Sequence, residues 1–145
     1  MKAVVQRVKG ASLHCDGKLI SEIGFGLVVF LGVKVGDDLS KADTLAKKIS
    51  NLRIFADENG KSNLSVKDVG GEILAVSQFT LLGDVSRGNR PSFTDAEQPE
   101  KANETYEYFL EQLALNGITP KKGVFGGDMT INQINDGPYT IIYDI

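Results

Sequence analysis

The segment Gly26–Gly32 (GLVVFLG) constrains the fold more than any other part of the chain, because it is apolar without interruption. Successive side chains of a β-strand point to opposite faces of the sheet, so an uninterrupted apolar run predicts a central strand buried on both sides. The run is too short for a membrane span, which needs about 20 apolar residues. The chain is therefore expected to form a sheet with this segment as a central strand.

The segments around this strand indicate a sheet built largely from neighbouring strands. Asp16-Gly17 separates two β-compatible segments and predicts a two-residue hairpin. The Gly70-Gly71 pair precedes another apolar strand, and Asn59-Gly60 marks a further turn. The segments that have the composition of strands are residues 2–8, 12–15, 19–23, 53–56, 73–78, 121–125, 130–134 and 140–143.

Only two segments have the apolar spacing of long helices. The first begins after Asp37-Asp38, whose carboxylates are suited to capping, and its apolar positions run from Leu39 to Leu52. The second begins at Pro99 and ends at Asn116-Gly117, as a left-handed C-terminal cap requires. Strands outnumber helices, so we predict an α+β fold with a small β-barrel-like sheet and two main helices, rather than a doubly wound parallel sheet.

Length and composition limit the classes of protein to which this chain could belong. Its 145 residues predict a single domain over residues 1–145. The net charge of −3 argues against a protein that coats long nucleic acids. Cys15 is the only cysteine and cannot form an internal disulfide, and the N-terminal residues lack the pattern of a signal peptide. We therefore expect a cytoplasmic protein with no membrane partner.

The sequence offers few side chains for conventional catalysis. His14 is the only histidine, and adjacent residues of a strand face opposite ways, so His14 and Cys15 do not form a nucleophile–base pair. With one histidine and one cysteine, no zinc site is expected. The GxSxG motif of a nucleophile elbow and the GxxxxGK[ST] motif of a phosphate-binding loop are both absent. We expect no metal and no cofactor.

Two polar segments at predicted strand ends are candidates for a site. The motif Ser77-Gln78-Phe79-Thr80 could direct main-chain N–H groups and hydroxyls into a cleft, although Ser77 and Thr80 could equally bond the backbone where the strand turns. The motif Asn135-Asp136-Gly137-Pro138 contains an X-Pro bond that could be cis, although an ordinary turn between strands explains it as well. Composition alone favours the ordinary explanation for each.

Two further segments could contact a nucleic acid. Phe125 lies between glycines in Gly123–Met129, where its ring could stack on a base or belong to the core. Arg87 and Arg90 stand in a glycine-containing loop that suits phosphate contact, but a solvated loop would also explain them. On the residues alone, a core position for Phe125 and a solvated loop for the arginines are the commoner explanations.

Taken together, these motifs resemble the D-aminoacyl-tRNA deacylase family, editing enzymes that remove D-amino acids from tRNA. The resemblance covers almost the whole chain, and SQFT and the Gly-Pro pair at this order and spacing are its most specific features. The motifs that carry it are AVVQRV (3–8), NLRIF (51–55), NLSVKDVGGE (63–72), SQFTL (77–81), RPSF (90–93), GVFG (123–126) and NDGP (135–138).

The resemblance implies a homodimer of small barrel-like subunits that act on the acceptor end of aminoacyl-tRNA. Gly137 and Pro138, joined by a cis bond, would reach into the partner's active site, hold the substrate α-amino group and reject L-amino acids. The segment from Ser77 through Gln78 and Phe79 to Thr80 would line the ester. The pocket for the terminal adenosine would include Phe125 and Met129, and Arg87 and Arg90 would contact tRNA phosphates.

The resemblance also implies a mechanism without a side-chain nucleophile, in which the terminal ribose 2′-OH helps water to attack. Thr80 is the natural candidate for a nucleophile, but no base accompanies it in the sequence. Glycine is achiral, so glycyl-tRNA is expected as a second substrate. The chain departs from the usual family residues at Gly127 and Thr130, at Tyr139, which could reshape the pocket edge, and at Asn89, which could weaken phosphate contact.

Two other classes of function remain to be weighed against the enzyme. A nucleic-acid-binding module could use the same cleft without hydrolysis, but the acidic net charge counts against it. A dimeric structural domain would leave the Arg87–Arg90 loop and the glycine-flanked Phe125 without a role. Loss of the ester from D-Tyr-tRNA discriminates the enzyme from both.

Overall fold

The computed structural model describes residues 1–145, which form eight strands and two α-helices. In chain order these are β1 (Lys2–Cys15), β2 (Lys18–Ile23), β3 (Gly26–Gly32), α1 (Leu39–Ser50), β4 (Phe55–Ala56), β5 (Ser62–Leu64), β6 (Glu72–Ser77), α2 (Pro99–Leu115), β7 (Lys121–Lys122) and β8 (Met129–Asp144). A 3-10 helix, Phe79–Leu82, follows β6. No helix has the length and apolar character that crossing a membrane requires.

The main sheet curls into a nearly closed barrel. Its strand order is β2-β1-β3-β6-β7, and β8 pairs with β1 along the other edge of that strand. The pairs β3–β6 and β6–β7 are parallel, and the pairs formed by β1 are antiparallel. The Ser21 hydroxyl of β2 donates to Lys122 O of β7 at 2.6 Å, which links the two ends of the sheet. The predicted α+β fold with a barrel-like sheet is confirmed.

β3 is buried on both faces, as its sequence predicts. Leu27, Val29 and Leu31 belong to a cluster of 21 buried residues shared with α1 and α2. Val28 faces the barrel interior, in a second cluster of seven buried residues that includes Leu74 and Val76 of β6. The helices therefore cover the outside of the β3–β6 pair, and the side chains of the barrel fill its interior.

Several turns and helix ends lie where the local sequence predicts them. Asp16 and Gly17 both have positive φ, 51° and 73°, and connect β1 to β2 as a two-residue hairpin. The Asp38 carboxylate accepts the Lys41 N–H at the start of α1. Helix α2 begins at Pro99 and ends before Gly117, whose φ is 95°.

Other predicted boundaries are wrong. Residues 2–8 and 12–15 form one strand, β1, whose register with β8 shifts near Val8. Residues 130–134 and 140–143 also form one strand, so Asn135–Pro138 is not a turn between two strands but a bulge within β8. The strand expected at 121–125 is limited to β7, that expected at 53–56 is limited to β4, and α1 ends before Leu52.

Asp37 anchors the start of α1 to the N-terminal end of β1. Its side chain is 1% exposed, and its carboxylate lies 2.8 Å from both the Met1 α-ammonium and Lys41 Nζ. Burial alone would raise the pKa of Asp37, but hydrogen bonds from Lys41, the ammonium and the Lys34 N–H outweigh it, so the pKa is lowered. The folded state therefore holds this carboxylate ionised with cations on two sides.

We expect Asp37→Asn to lower the free energy of unfolding by about 3 kcal/mol at pH 7, because it leaves two ammonium groups without their carboxylate. Since the pKa is lowered by folding, this stabilisation is full above the unfolded value of about 4 and is lost as the pH falls through the folded value. Urea denaturation between pH 7 and pH 3 measures both effects.

Asp38→Asn is the matched control for this experiment. It removes a neighbouring carboxylate from the same helix start, but asparagine is also a good N-cap, so the free energy of unfolding should change little. Equal losses for the two variants would contradict the role given to Asp37.

Candidate active site

A cavity of about 570 Å³ opens at the carboxyl end of β6. Four segments wall it: the end of β3, the end of β6 with the following 3-10 helix, the segment that enters α2, and the loop between β7 and β8 with the start of β8. Its volume is in the range of small-molecule sites. Among the residues predicted for the site, the cavity brings together Ser77, Gln78, Phe79, Phe125 and Met129.

The end of β6 leaves two main-chain donors free. The Gln78 N–H donates to Leu31 O at 2.7 Å and so continues the pairing with β3. The N–H groups of Phe79 and Thr80 begin the 3-10 helix and donate to no group of the chain, as expected for the first turn of a helix. Two adjacent main-chain donors are thus available for an oxygen atom of a ligand. The Gln78 N–H is not available, because Leu31 O already accepts it.

Thr80 does not have the surroundings of an activated nucleophile. Its exposed hydroxyl accepts a short hydrogen bond from the Gln78 side-chain amide, which is a donor and cannot take a proton. Thr80 is also not among the residues that line the cavity. The geometry therefore gives the Thr80 hydroxyl a structural role at the start of the 3-10 helix and leaves only the Thr80 N–H available to a ligand.

Two carboxylates that the sequence analysis did not assign line the cavity, Glu97 and Asp128. Glu97 accepts Lys101 Nζ at 2.9 Å and the Gln98 N–H, and these contacts lower its pKa. A carboxylate so engaged is a weak base. Asp128 is exposed in the loop before β8. The family motif GVFG ends at Gly126, two residues earlier, and a longer motif would have been needed to single out Asp128.

Phe125 and Met129 are held in place by contacts with the core. The Phe125 ring packs against Tyr106 of α2, with centroids 6.2 Å apart. The Tyr106 hydroxyl donates to Ala75 O of β6 at 2.9 Å, and burial raises the pKa of Tyr106. A Cβ at Gly123 would lie 2.7 Å from Met129 Sδ, so glycine allows the loop to pack this closely. Through Tyr106, the cavity wall formed by the β7–β8 loop is thus connected to α2 and β6.

Gly137 and Pro138 are exposed and do not line the cavity of their own chain. The bond between them is cis, and Gly137 has φ 123°. The bulge lies beside Arg7, which pairs with Leu27 of β3, whereas Ser77 pairs with Leu31. Leu27 and Leu31 are four residues apart along β3, which corresponds to about 13 Å at the usual rise of a strand. The structure therefore does not bring the two defining motifs together within one chain.

The Arg7 side chain holds the bulge in place. Its Nε lies 3.0 Å from the Asp136 carboxylate and 3.3 Å from Asp136 O, and its Nη1 donates a short hydrogen bond to Ile54 O. Its guanidinium carbon is 4.9 Å from the centroid of the Tyr139 ring. The side chain is only 15% exposed, so these contacts are shielded from water and hold residues 136–139 in one position.

Arg87 and Arg90 are exposed near the tip of the loop that joins the 3-10 helix to α2. Two backbone hydrogen bonds between Asp84 and Ser92, of 2.8 and 2.9 Å, close this loop into a short ribbon. Phe93 follows at its base, lines the cavity and packs edge-to-face on Phe79. The arginines thus project from the cavity rim rather than lining it.

A family model described as D-Tyr-tRNA(Tyr) deacylase matches residues 4–144. The chain belongs to this family. Among other members, D-aminoacyl-tRNA deacylase of Carboxydothermus hydrogenoformans is 52% identical over 145 residues and is covered completely, as is this chain. The protein of the same name from Geobacter sp. (strain M21) is 51% identical over 144 residues, which are 99% of this chain and 97% of that protein.

Two solved structures share the fold of this chain. One named c-Myc DNA Unwinding Element Binding Protein superposes with a TM-score of 0.95 at 45% identity, covering 100% of this chain and 99% of that chain. A structure described as a probable eukaryotic D-amino acid tRNA deacylase gives a TM-score of 0.87 at 15% identity over 99% of this chain and 98% of that one, a likeness of fold. The deacylase resemblance that the sequence motifs indicated is confirmed.

Proposed function

We propose that this chain is an editing esterase of the cytoplasm that hydrolyses D-aminoacyl-tRNA to free D-amino acid and tRNA, and that leaves L-aminoacyl-tRNA intact. The observation that supports this most is the match of a deacylase family model to residues 4–144. The relatives' names agree with it, and the cavity beside SQFT offers a site of suitable size. Glycyl-tRNA is a second substrate, because glycine has no side chain for a chiral filter to reject.

The active unit is a homodimer in which each copy completes the other's site. Gly137 and Pro138 are too far along the sheet to reach the Ser77 cleft of their own chain, yet they are exposed and rigidly held by Arg7. An apolar row stands on the same sheet: Val4 pairs with Phe30 on one side and with Ile142 on the other, and Ile142 is 71% exposed. An uncovered apolar row of this kind suits a two-fold contact.

Substrate is oriented from both copies. The carbonyl oxygens of Gly137 and Pro138 from one copy accept hydrogen bonds from the substrate α-ammonium. The other copy contributes Ser77 and Gln78 as walls and the free N–H groups of Phe79 and Thr80 as donors to the ester carbonyl oxygen. Phe125 and Met129 contact the terminal adenosine, and Arg87 and Arg90 contact phosphates further along the RNA.

Hydrolysis needs no side-chain nucleophile in this arrangement. The terminal ribose 2′-OH orients a water molecule, whose oxygen attacks the ester carbonyl carbon while the two N–H groups stabilise the developing oxyanion. The bond between the carbonyl carbon and the ribose oxygen then breaks. One proton of the attacking water passes to the ribose oxygen, which becomes a hydroxyl, the other is released to solvent, and the amino acid leaves as a carboxylate.

The chiral filter works by exclusion. Apolar contacts discriminate by only about 1–3 kcal/mol per methylene, so a site that must refuse the abundant L-form needs a rigid wall where the L side chain would lie. The bulge at residues 136–139, fixed by Arg7 through hydrogen bonds, an ion pair and the Tyr139 ring, supplies such a wall.

The mechanism predicts that Thr80→Ala keeps kcat for D-Tyr-tRNA within about threefold of wild type, because the hydroxyl supplies neither the nucleophile nor the base. A tRNA ending in 2′-deoxyadenosine should react about tenfold more slowly or worse, because the water loses its orienting group. Single-turnover rates measure the chemical step in both cases. An inactive, folded Thr80→Ala protein would restore Thr80 as the nucleophile.

The proposed function is tested by incubating the protein with D-Tyr-tRNA, L-Tyr-tRNA and Gly-tRNA and following loss of the ester. We expect rapid release of D-tyrosine and glycine and retention of L-tyrosine. Release from none of the three would refute the enzyme, and equal release of D- and L-tyrosine would refute the chiral filter.

A further inference from the structure

An aromatic pair at the rim of the cavity has no role in the chemistry described above. Phe79 is 56% exposed, and its ring lies 5.1 Å from that of Phe93 at an interplanar angle of 67°. Both rings line the cavity, but the chemistry uses only the backbone of Phe79. In an edge-to-face pair each ring covers at most one face of the other, so flat apolar surface stays open to solvent.

The pair is rigidly built. Phe79 begins the 3-10 helix, and a Cβ at Gly83 would lie 3.0 Å from Phe93 Cε1, so glycine lets the Phe93 ring close on that helix. The Asp84–Ser92 hydrogen bonds fix the chain before Phe93, and an isolated bridge between Lys34 and Ala96 fixes it afterwards. A surface held from both sides presents its aromatic faces at little entropic cost.

We infer that the Phe79–Phe93 pair is a stacking site for the base of the nucleotide that precedes the terminal adenosine of the tRNA. This inference rests on the proposed function and extends it by one nucleotide. Single-stranded RNA is recognised chiefly by stacking its bases on aromatic side chains. The acceptor end is single-stranded. When its terminal base occupies the cavity, the preceding base lies at the cavity rim.

The charges around the pair fit an RNA strand passing over it. Arg87 and Arg90 are exposed in the ribbon that Phe93 terminates, so they can contact the phosphates of a strand that leaves the cavity. Gln98 lines the cavity at the start of α2, and its side-chain amide does not cap that helix. It is therefore available to a base edge, whereas the Glu97 carboxylate is held by Lys101.

The test compares substrates that do and do not contain the penultimate base. With Phe93→Leu, kcat/KM for D-Tyr-tRNA should fall about tenfold, the usual scale for losing one stacked base, mainly through KM. For 2′(3′)-O-D-tyrosyl-adenosine, which lacks the penultimate base, kcat/KM of Phe93→Leu should fall about threefold at most. Phe93→Tyr keeps an aromatic face and should behave as wild type on both substrates.

A change on the RNA side keeps the test independent of protein folding. D-Tyr-tRNA with an abasic penultimate nucleotide should show the same loss with wild-type protein and no further loss with Phe93→Leu. The matched control is Phe25→Leu, because Phe25 and Phe55 form a second edge-to-face pair at 5.1 Å, away from the cavity. This control should leave both substrates unaffected.

Three results would overturn the inference. The first is an equal loss on D-Tyr-tRNA and on D-tyrosyl-adenosine, which would place Phe93 in the terminal pocket. The second is additive losses from the abasic nucleotide and Phe93→Leu. The third is a change of sedimentation with Phe93→Leu, which would assign the pair to the subunit interface. If instead wild-type protein hydrolyses neither substrate, it is the proposed function that fails.

Discussion

Gly137→Ala should lower kcat/KM for D-Tyr-tRNA by about 100-fold, the scale expected when a positioning group moves by about 1 Å. A Cβ at Gly137 would lie 2.9 Å from the Tyr139 N atom and 3.3 Å from Arg7 Nη2, so the bulge or the arginine must shift. The residue also has φ 123°, which is strained for alanine. Both effects displace the carbonyl oxygens that we assign to the substrate α-amino group.

Gly60→Ala is the matched control for the backbone strain. Gly60 also has positive φ, 72°, but a Cβ there meets nothing within 4 Å and the turn lies in the β4–β5 hairpin. It should lose stability but keep the kcat/KM of wild type on D-Tyr-tRNA. A Gly137→Ala protein as active and as selective as Gly60→Ala would remove the bulge from the active site.

Phe79→Pro should lower kcat for D-Tyr-tRNA by about 100- to 1000-fold, the usual effect of removing one oxyanion donor. Proline lacks the N–H that we place on the ester carbonyl oxygen. Position 79 is the first of a 3-10 helix, where proline is tolerated, and Gln78 before it has φ −145° and ψ 83°, outside the helical region. The N–H has no partner in the chain, so its loss breaks no internal hydrogen bond.

Phe79→Leu separates the backbone donor from the ring. It removes the aromatic face but keeps the N–H, so kcat in single turnover should stay close to wild type while KM for D-Tyr-tRNA rises. Circular dichroism and thermal unfolding establish that both variants are folded. Equal kcat values for Phe79→Pro and Phe79→Leu would contradict the oxyanion role.

Local signals in the sequence predicted those parts of the fold that local chemistry decides. Asp16-Gly17, the Asp38 cap and Pro99 each act on residues only a few positions away, and each produced the expected turn or helix end. The two long strands were missed because their continuity is set by pairing between β1 and β8, at opposite ends of the chain. Asn135–Pro138 has the composition of a turn, but the neighbouring strand makes it a bulge.

In the candidate site, too, some residues were predicted from local motifs and others depend on tertiary contacts. The motifs identified Ser77–Phe79, Phe125 and Met129, which the fold brings into one cavity. Phe93 and Glu97 also line the cavity, but they are brought there by the ribbon closed at Asp84–Ser92 and by the bridge at Lys34 and Ala96, which are tertiary contacts. The separation of Gly137 from Ser77 along the sheet likewise depends on strand register, which no local pattern reports.

The proposed sharing of each site between two copies is tested most directly by combining the two damaged halves. Gly137→Ala and Phe79→Pro chains are co-expressed with different affinity tags, and the mixed dimer is purified through both. One site then contains both defects, and the other pairs an intact Ser77 segment with an intact Gly137–Pro138 bulge. We predict that the mixed dimer recovers about half of wild-type deacylation of D-Tyr-tRNA. Activity no higher than that of the two parent variants would contradict a site built from both copies.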